Sequence, residues 1–136
     1  MLPRFTKSSV QAPAPDPRTK GWGTYVAYIE FADDRFPVRH IVEFENGNML
    51  AYDRTRWMDE FGMLADFRFG NPWVDAWGYP AEIPGEDFEE KWCEALKRHP
   101  DVSHRSDTPP WLRLLAEGRF PEDPNDWPLR KAPAGR

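Results

Sequence analysis

His40 and Asp53 are the pair of side chains whose types and spacing could do chemistry in this sequence. A carboxylate set across a strand pair from an imidazole fixes the ring's tautomer and orientation, which a general base requires. The two meet if the chain folds back at Asn46-Gly47 in a two-residue type I′ turn, for which Asn-Gly is the strongest local signal. No serine or cysteine nucleophile is placed beside them, and the simpler reading is a polar pair closing the open end of a hairpin. The other histidines, in His99-Pro-Asp-Val-Ser-His104, have a spacing that fits no standard ligand set, so neither a metal nor a cofactor is expected. Cys93, on the flank of an apolar helix and without a basic neighbour, reads as an inert, partly buried thiol.

A second constellation is a charged rim. Asp33, Asp34 and Arg35 occupy a turn, and Arg39, Arg54, Arg56 and Trp57 are expected at the same end of the sheet. Arginine beside an exposed tryptophan is the composition of an interface hot spot, whereas charged turns are commonly no more than solvated turns.

The elements that must position these groups start from the hairpin. With Asn46 and Gly47 as the two loop residues, Glu45 opposes Asn48, Phe44 opposes Met49, Val42 opposes Ala51, Ile41 opposes Tyr52 and His40 opposes Asp53. One face then carries Val38, His40, Val42, Phe44, Met49, Ala51 and Asp53 towards a core, and the other carries Arg39, Ile41, Glu43, Leu50 and Tyr52. Thr24 to Phe31, rich in β-branched and aromatic residues and apolar on both sides, predicts a first strand inside a sheet. Residues 54 to 60 are either a helical turn or an irregular loop. Alternation returns in Phe61 to Gly70, with Met63, Ala65, Phe67 and Phe69 on one side, and predicts another strand; 71 to 84 is aromatic and irregular.

Glu86 to Arg98 places Phe88, Trp92, Ala95 and Leu96 on one helical stripe, with acids first and bases last as the helix dipole favours. A shorter helix is expected over Pro109 to Glu117, with Thr108 as N-cap and Gly118 as the stop.

The chain has 136 residues, one ordinary domain's worth, and its 15 prolines cluster at both ends. Residues 1 to 19 therefore read as a flexible leader, 20 to 117 as a single domain and 118 to 136 as a tail. The net charge of −5 argues against nucleic-acid binding, which needs a basic surface. One cysteine excludes an internal disulfide and fits a reducing compartment, and no stretch has signal-peptide or membrane-spanning character, so a cytoplasmic protein without membrane association is expected.

Tyr28-Ile-Glu-Phe-Ala-Asp-Asp-Arg35, the Arg39-His-Ile-Val-Glu43 strand, Asn46-Gly47, Ala51-Tyr-Asp53 and the later Glu86-Asp-Phe-Glu-Glu-Lys-Trp92 together resemble a family of small bacterial domains of unknown function. The likeness covers about residues 24 to 97. It departs from the family pattern at Ile29, Pro37 and His40. The resemblance implies a compact α+β domain of the kind found near bacterial toxin and defence genes, and no established activity.

The expected architecture is α+β: an antiparallel meander of about four strands, one main helix and a shorter second one. The favoured function is a non-enzymatic protein-binding domain, an immunity or toxin-neutralising factor whose acidic surface occupies a partner's basic site. The alternatives are a small hydrolase or transferase using His40 and Asp53, and an accessory interaction module using the proline-rich ends.

Overall fold

Alternating apolar residues in three consecutive runs build the centre of the sheet: β2 (Tyr25–Phe31), β3 (Pro37–Phe44) and β4 (Met49–Asp53). The computed structural model describes residues 4–10, 18–65 and 81–118. It adds two strands, β1 (Phe5–Val10) and β5 (Ala81–Glu82), and two helices, α1 (Gly85–Arg98) and α2 (Pro110–Ala116). The strand order is β4-β3-β2-β1-β5, antiparallel throughout, so β1 to β4 form a meander and β5 returns to the edge beside β1. This is the expected α+β class with five strands. The chain divides into two compact units, Met1–Ser106 with the sheet and α1, and Asp107–Arg136 with α2.

The leader expectation fails at Phe5–Val10. This segment inserts between β2 and β5, with Phe5 opposite Glu30 and Val10 opposite Tyr25. Its polar composition hides it in sequence, but β2 has apolar groups on both faces and an edge that needs pairing, which β1 supplies. Phe5 also stacks on Phe88 of α1 with ring centroids 5.2 Å apart. Residues 11–17 and 119–136, which contain most of the proline-rich sequence, lie outside the described residues, as do 66–80 and hence half of the strand expected over 61 to 70. The described half, 61–65, is an irregular arm with a single bridge between Met58 and Met63.

The hairpin forms, but its register is one residue away from the two-residue expectation. Gly47 N–H donates to Phe44 O at 2.9 Å and Phe44 N–H donates to Asn48 O at 2.9 Å, closing a three-residue loop of Glu45, Asn46 and Gly47. Gly47 alone in that loop has positive φ, at 96°, as a type I turn followed by a glycine bulge requires. The reason lies in the neighbouring chain. Thr24 O accepts the Glu45 N–H (2.9 Å) and Trp22 O accepts the Asn46 N–H (3.1 Å), drawing Glu45 out of the ladder and into the loop. Gly23 makes room for this: a Cβ there would lie 2.5 Å from Glu45 Oε1.

The shift re-sorts every side chain of β4. Glu43 opposes Met49, Ile41 opposes Ala51, His40 opposes Tyr52 and Arg39 opposes Asp53. Ile41, Met49, Ala51 and Tyr28 therefore share one face and bury against Phe88 and Ala95 of α1. The opposite face carries His40, Leu50, Tyr52 and Phe44 with Ile29 and Phe31 of β2, and the arm ending at Ala65 packs on those two. Both faces thus hold core residues, rather than one apolar and one mixed.

α1 follows the expected amphipathic pattern at Phe88 and Ala95, which are buried, and runs one residue further at its start, but Leu96 of the expected stripe is 47 % exposed. In the second unit, α2 begins at Pro110 with Pro109 as its N-cap, not Thr108. A residue preceding proline is driven to extended backbone, and Pro109 (ψ 136°) precedes Pro110, so the helix cannot start earlier. Gly118, at φ 68°, ends it as expected.

Candidate functional site

Asp53 has no contact with His40 to offer, because the register sends their side chains to opposite faces. Its Oδ1 instead accepts the backbone N–H groups of Thr55 (2.8 Å) and Arg56 (2.9 Å) and the Thr55 hydroxyl (2.8 Å), a side-chain-capped turn that ends β4. His40 faces the arm. Its Nδ1 accepts the Ala65 N–H at 3.1 Å, and the Met63 backbone makes a second hydrogen bond to the ring. Burial pushes the imidazole down to about 4, against the opposing pull of the Met63 contact. Such a ring is neutral at physiological pH and is spent on the backbone.

A second histidine organises the other end of the same arm. His99, the residue that closes α1, donates from Nε2 to Asp59 Oδ2 (2.6 Å) and receives the Ala51 N–H of β4 on Nδ1 (2.8 Å). The backbone donor assigns the tautomer: Nδ1 must carry the lone pair. Asp59 Oδ1 also accepts the Tyr52 hydroxyl (2.7 Å) and the Phe61 and Gly62 N–H groups (2.9 and 3.2 Å). The Asp59 side chain is 1 % exposed and that of His99 is 7 %. Burial pushes the Asp59 carboxyl up, but the hydrogen bonds from His99, Tyr52 and Phe61 outweigh it and hold it below the ordinary carboxylate range. The dyad resembles an acid–base pair, yet both ring nitrogens are occupied and no proton can be exchanged with a substrate without breaking the fold locally.

Sequence reasoning missed this pair. Residues 54 to 60 had no periodicity to settle them, and His99 stood in a loop. The available signal was Asp59-Glu-Phe-Gly62, an aspartate two and three residues ahead of the N–H groups it captures.

The expected rim is partly assembled. Asp34 accepts the Phe36 N–H (2.8 Å) and the Arg54 guanidinium (3.2 Å), and Arg54 also donates to Pro37 O (3.1 Å), so the β2–β3 turn and the end of β4 do coincide. Asp33, Asp34, Arg35 and Arg56 are exposed, and Arg35 holds a left-handed backbone at φ 73°. Arg39 and Trp57 leave the set. Arg39 lies on the α1 face, paired with Glu30 (2.6 Å) and Glu89, with its guanidinium 5.0 Å from the Phe88 ring centroid and 5.2 Å from that of Trp92. Trp57 is fully buried, with Arg105 stacked 4.3 Å from its ring centroid. An exposed arginine–tryptophan hot spot is therefore not what these residues form.

Comparison with protein families, curated proteins and solved structures returns no match for this chain.

The outer side of α1 carries exposed carboxylates in its first two turns. Glu86, Asp87 and Glu90 are exposed, and none pairs with a cation among the described residues. Cys93 lies among them and is exposed, contrary to the partly buried thiol expected, because the helix turns Phe88 and Ala95 inwards and Cys93 outwards. Among the described residues, no helix is long and apolar enough to cross a membrane.

Proposed function

We propose that this chain is a non-enzymatic protein-binding domain of the immunity or toxin-neutralising kind, which presents carboxylates to a basic site on its partner. The observation that carries this reading is the outer face of α1. Glu86, Asp87 and Glu90 stand on a helix whose opposite side is anchored by Phe88 and Ala95, so three carboxylates are held on a rigid support. Like-signed charge on a fixed scaffold speeds encounter with an oppositely charged surface and penalises wrong partners. His40 of β3 and His99 at the end of α1, by contrast, are committed to backbone groups and to Asp59, which supports binding over the hydrolase or transferase reading.

The test is co-expression with the product of a neighbouring gene that is toxic to the host. Wild-type chain is expected to restore growth and to bind the purified product with an affinity that falls as salt is raised. The Glu86→Lys/Glu90→Lys double variant is expected to lose at least tenfold in affinity while keeping its far-UV circular dichroism. Binding untouched by the double charge reversal overturns the proposal.

A further inference from the structure

α1 carries one more apolar residue than the sheet covers. Phe88 and Ala95 are fully buried and Trp92 is half-buried, while Leu96, one turn after Trp92, is the one exposed large hydrophobic side chain among the described residues. A lone exposed leucine is ordinary, but this one has company. Residues four apart on a helix lie side by side, so Leu96 extends the edge of Trp92, and the Arg39 guanidinium stacks 5.2 Å from the centroid of that same ring. Arg39 is itself fixed, paired with Glu30 at 2.6 Å and with both carboxylate oxygens of Glu89. The arginine–tryptophan contact expected at the rim thus forms on the flank of α1, with a leucine beside it.

At 3.6 residues per turn, Leu96, Glu89, Cys93, Glu86 and Glu90 fall in one strip about 120° wide, and all five are exposed. Leu96 stands about 9 Å along the axis from Glu90 and about 15 Å from Glu86. Lys97 shares the strip and closes its far end with the opposite charge. We propose that Leu96, seated beside Trp92, is the apolar anchor of the protein-binding face, and that the partner presents a groove whose apolar floor takes Leu96 and whose cations stand opposite Glu86 and Glu90. This inference rests on the reading of the chain as a domain that binds a basic site, and gives that site its second half. Exposed charge speeds encounter, whereas an apolar side chain that leaves water on docking supplies the lasting contact. Leu96 suits that task because its helix is anchored by Phe88 and Ala95 and its neighbour Trp92 is held by Arg39, so little freedom is lost on binding. A helix laid in a groove is read from the residues of one strip, and the order carboxylate, leucine, lysine along this one favours a single direction of docking.

Binding kinetics with the purified toxic product of the neighbouring gene test this on the full chain. Leu96→Ala is expected to lose about tenfold in affinity through faster dissociation, with the association rate and salt dependence of the wild type. Glu86→Lys/Glu90→Lys is expected to act through slower association and a flatter salt dependence. Leu96→Met, which keeps the apolar volume, is expected to bind as wild type does. All of these positions are exposed, so each variant is expected to keep its far-UV circular dichroism. Wild-type dissociation in Leu96→Ala, in a protein whose binding the charge reversal weakens, overturns the anchor and leaves the binding reading standing. So does a loss in Leu96→Met equal to that in Leu96→Ala. Absence of binding by the wild type, or binding indifferent to the charge reversal, overturns both together.

Discussion

The two ends of the Asp59–Ala65 arm solve one problem with different physics. At the His99 end a buried carboxylate gathers four donors, and the imidazole acts as one donor among them while its other nitrogen secures β4. At the His40 end a neutral ring in an apolar setting accepts a single backbone N–H. The first arrangement is strong because each charge and donor is satisfied; removal of any member leaves the others unpaired in a low-dielectric site. The second rests on two backbone contacts of one ring, of which the Ala65 contact needs the ring neutral and the Met63 contact does not. A histidine's role is therefore set by what its nitrogens face, not by its degree of burial.

The comparison can be broken most severely at Asp59. Asp59→Ala strands His99, the Tyr52 hydroxyl and two backbone N–H groups, and is expected to cost about 3–5 kcal/mol in urea unfolding monitored by tryptophan fluorescence. A loss below 1 kcal/mol would mean water readily replaces the carboxylate.

Acid titration separates the two ends. His40 has a folded value of about 4, below the roughly 6.5 of an unfolded histidine, so the unfolded chain binds the extra proton. The stability tied to neutral His40 is complete above pH ~6.5 and falls by up to roughly 3 kcal/mol as pH drops towards 4. Asp59, whose folded carboxyl lies below its ordinary value, contributes stability that is lost only at still lower pH, as protons reach it. Denaturation midpoints collected from pH 7.5 to 4 are expected to decline, and His40→Asn is expected to flatten that limb. An equal decline in the variant would assign it to other groups.

Two smaller changes sharpen the picture. Tyr52→Phe removes one neutral donor from Asp59 and leaves the His99 bond, so about 1 kcal/mol is expected by the same unfolding measurement. Gly47→Ala puts a Cβ on a residue at φ 96° and is expected to cost about 1 kcal/mol. Because that glycine closes the three-residue loop, NMR cross-strand contacts in the variant show whether His40 still faces Tyr52. A switch to Asp53 would show that the loop by itself sets the register.

Much of the fold was legible. Strands β2, β3 and β4 follow alternation and the Asn46-Gly47 turn, and α1 follows a single apolar stripe with complementary charges at its ends. The candidate site was not legible: the expected His40–Asp53 pair does not form, because His40 lies opposite Tyr52 and Asp53 opposite Arg39. One residue of loop length separates Asp53 from Tyr52 as the neighbour of His40, and local sequence supports either length.

What the sequence determined by itself is whatever depends on periodicity and local backbone preference: the existence of the hairpin, the extent of α1, and the glycine that ends α2. What tertiary structure decided is whatever depends on groups distant along the chain. The carbonyls of Trp22 and Thr24 chose the register, the open side of β2 recruited Phe5–Val10, and the end of α1 delivered His99 to Asp59, 40 residues away. Backbone N–H and C=O groups taken from water need partners, and where those partners come from is a property of the assembled chain rather than of any stretch within it.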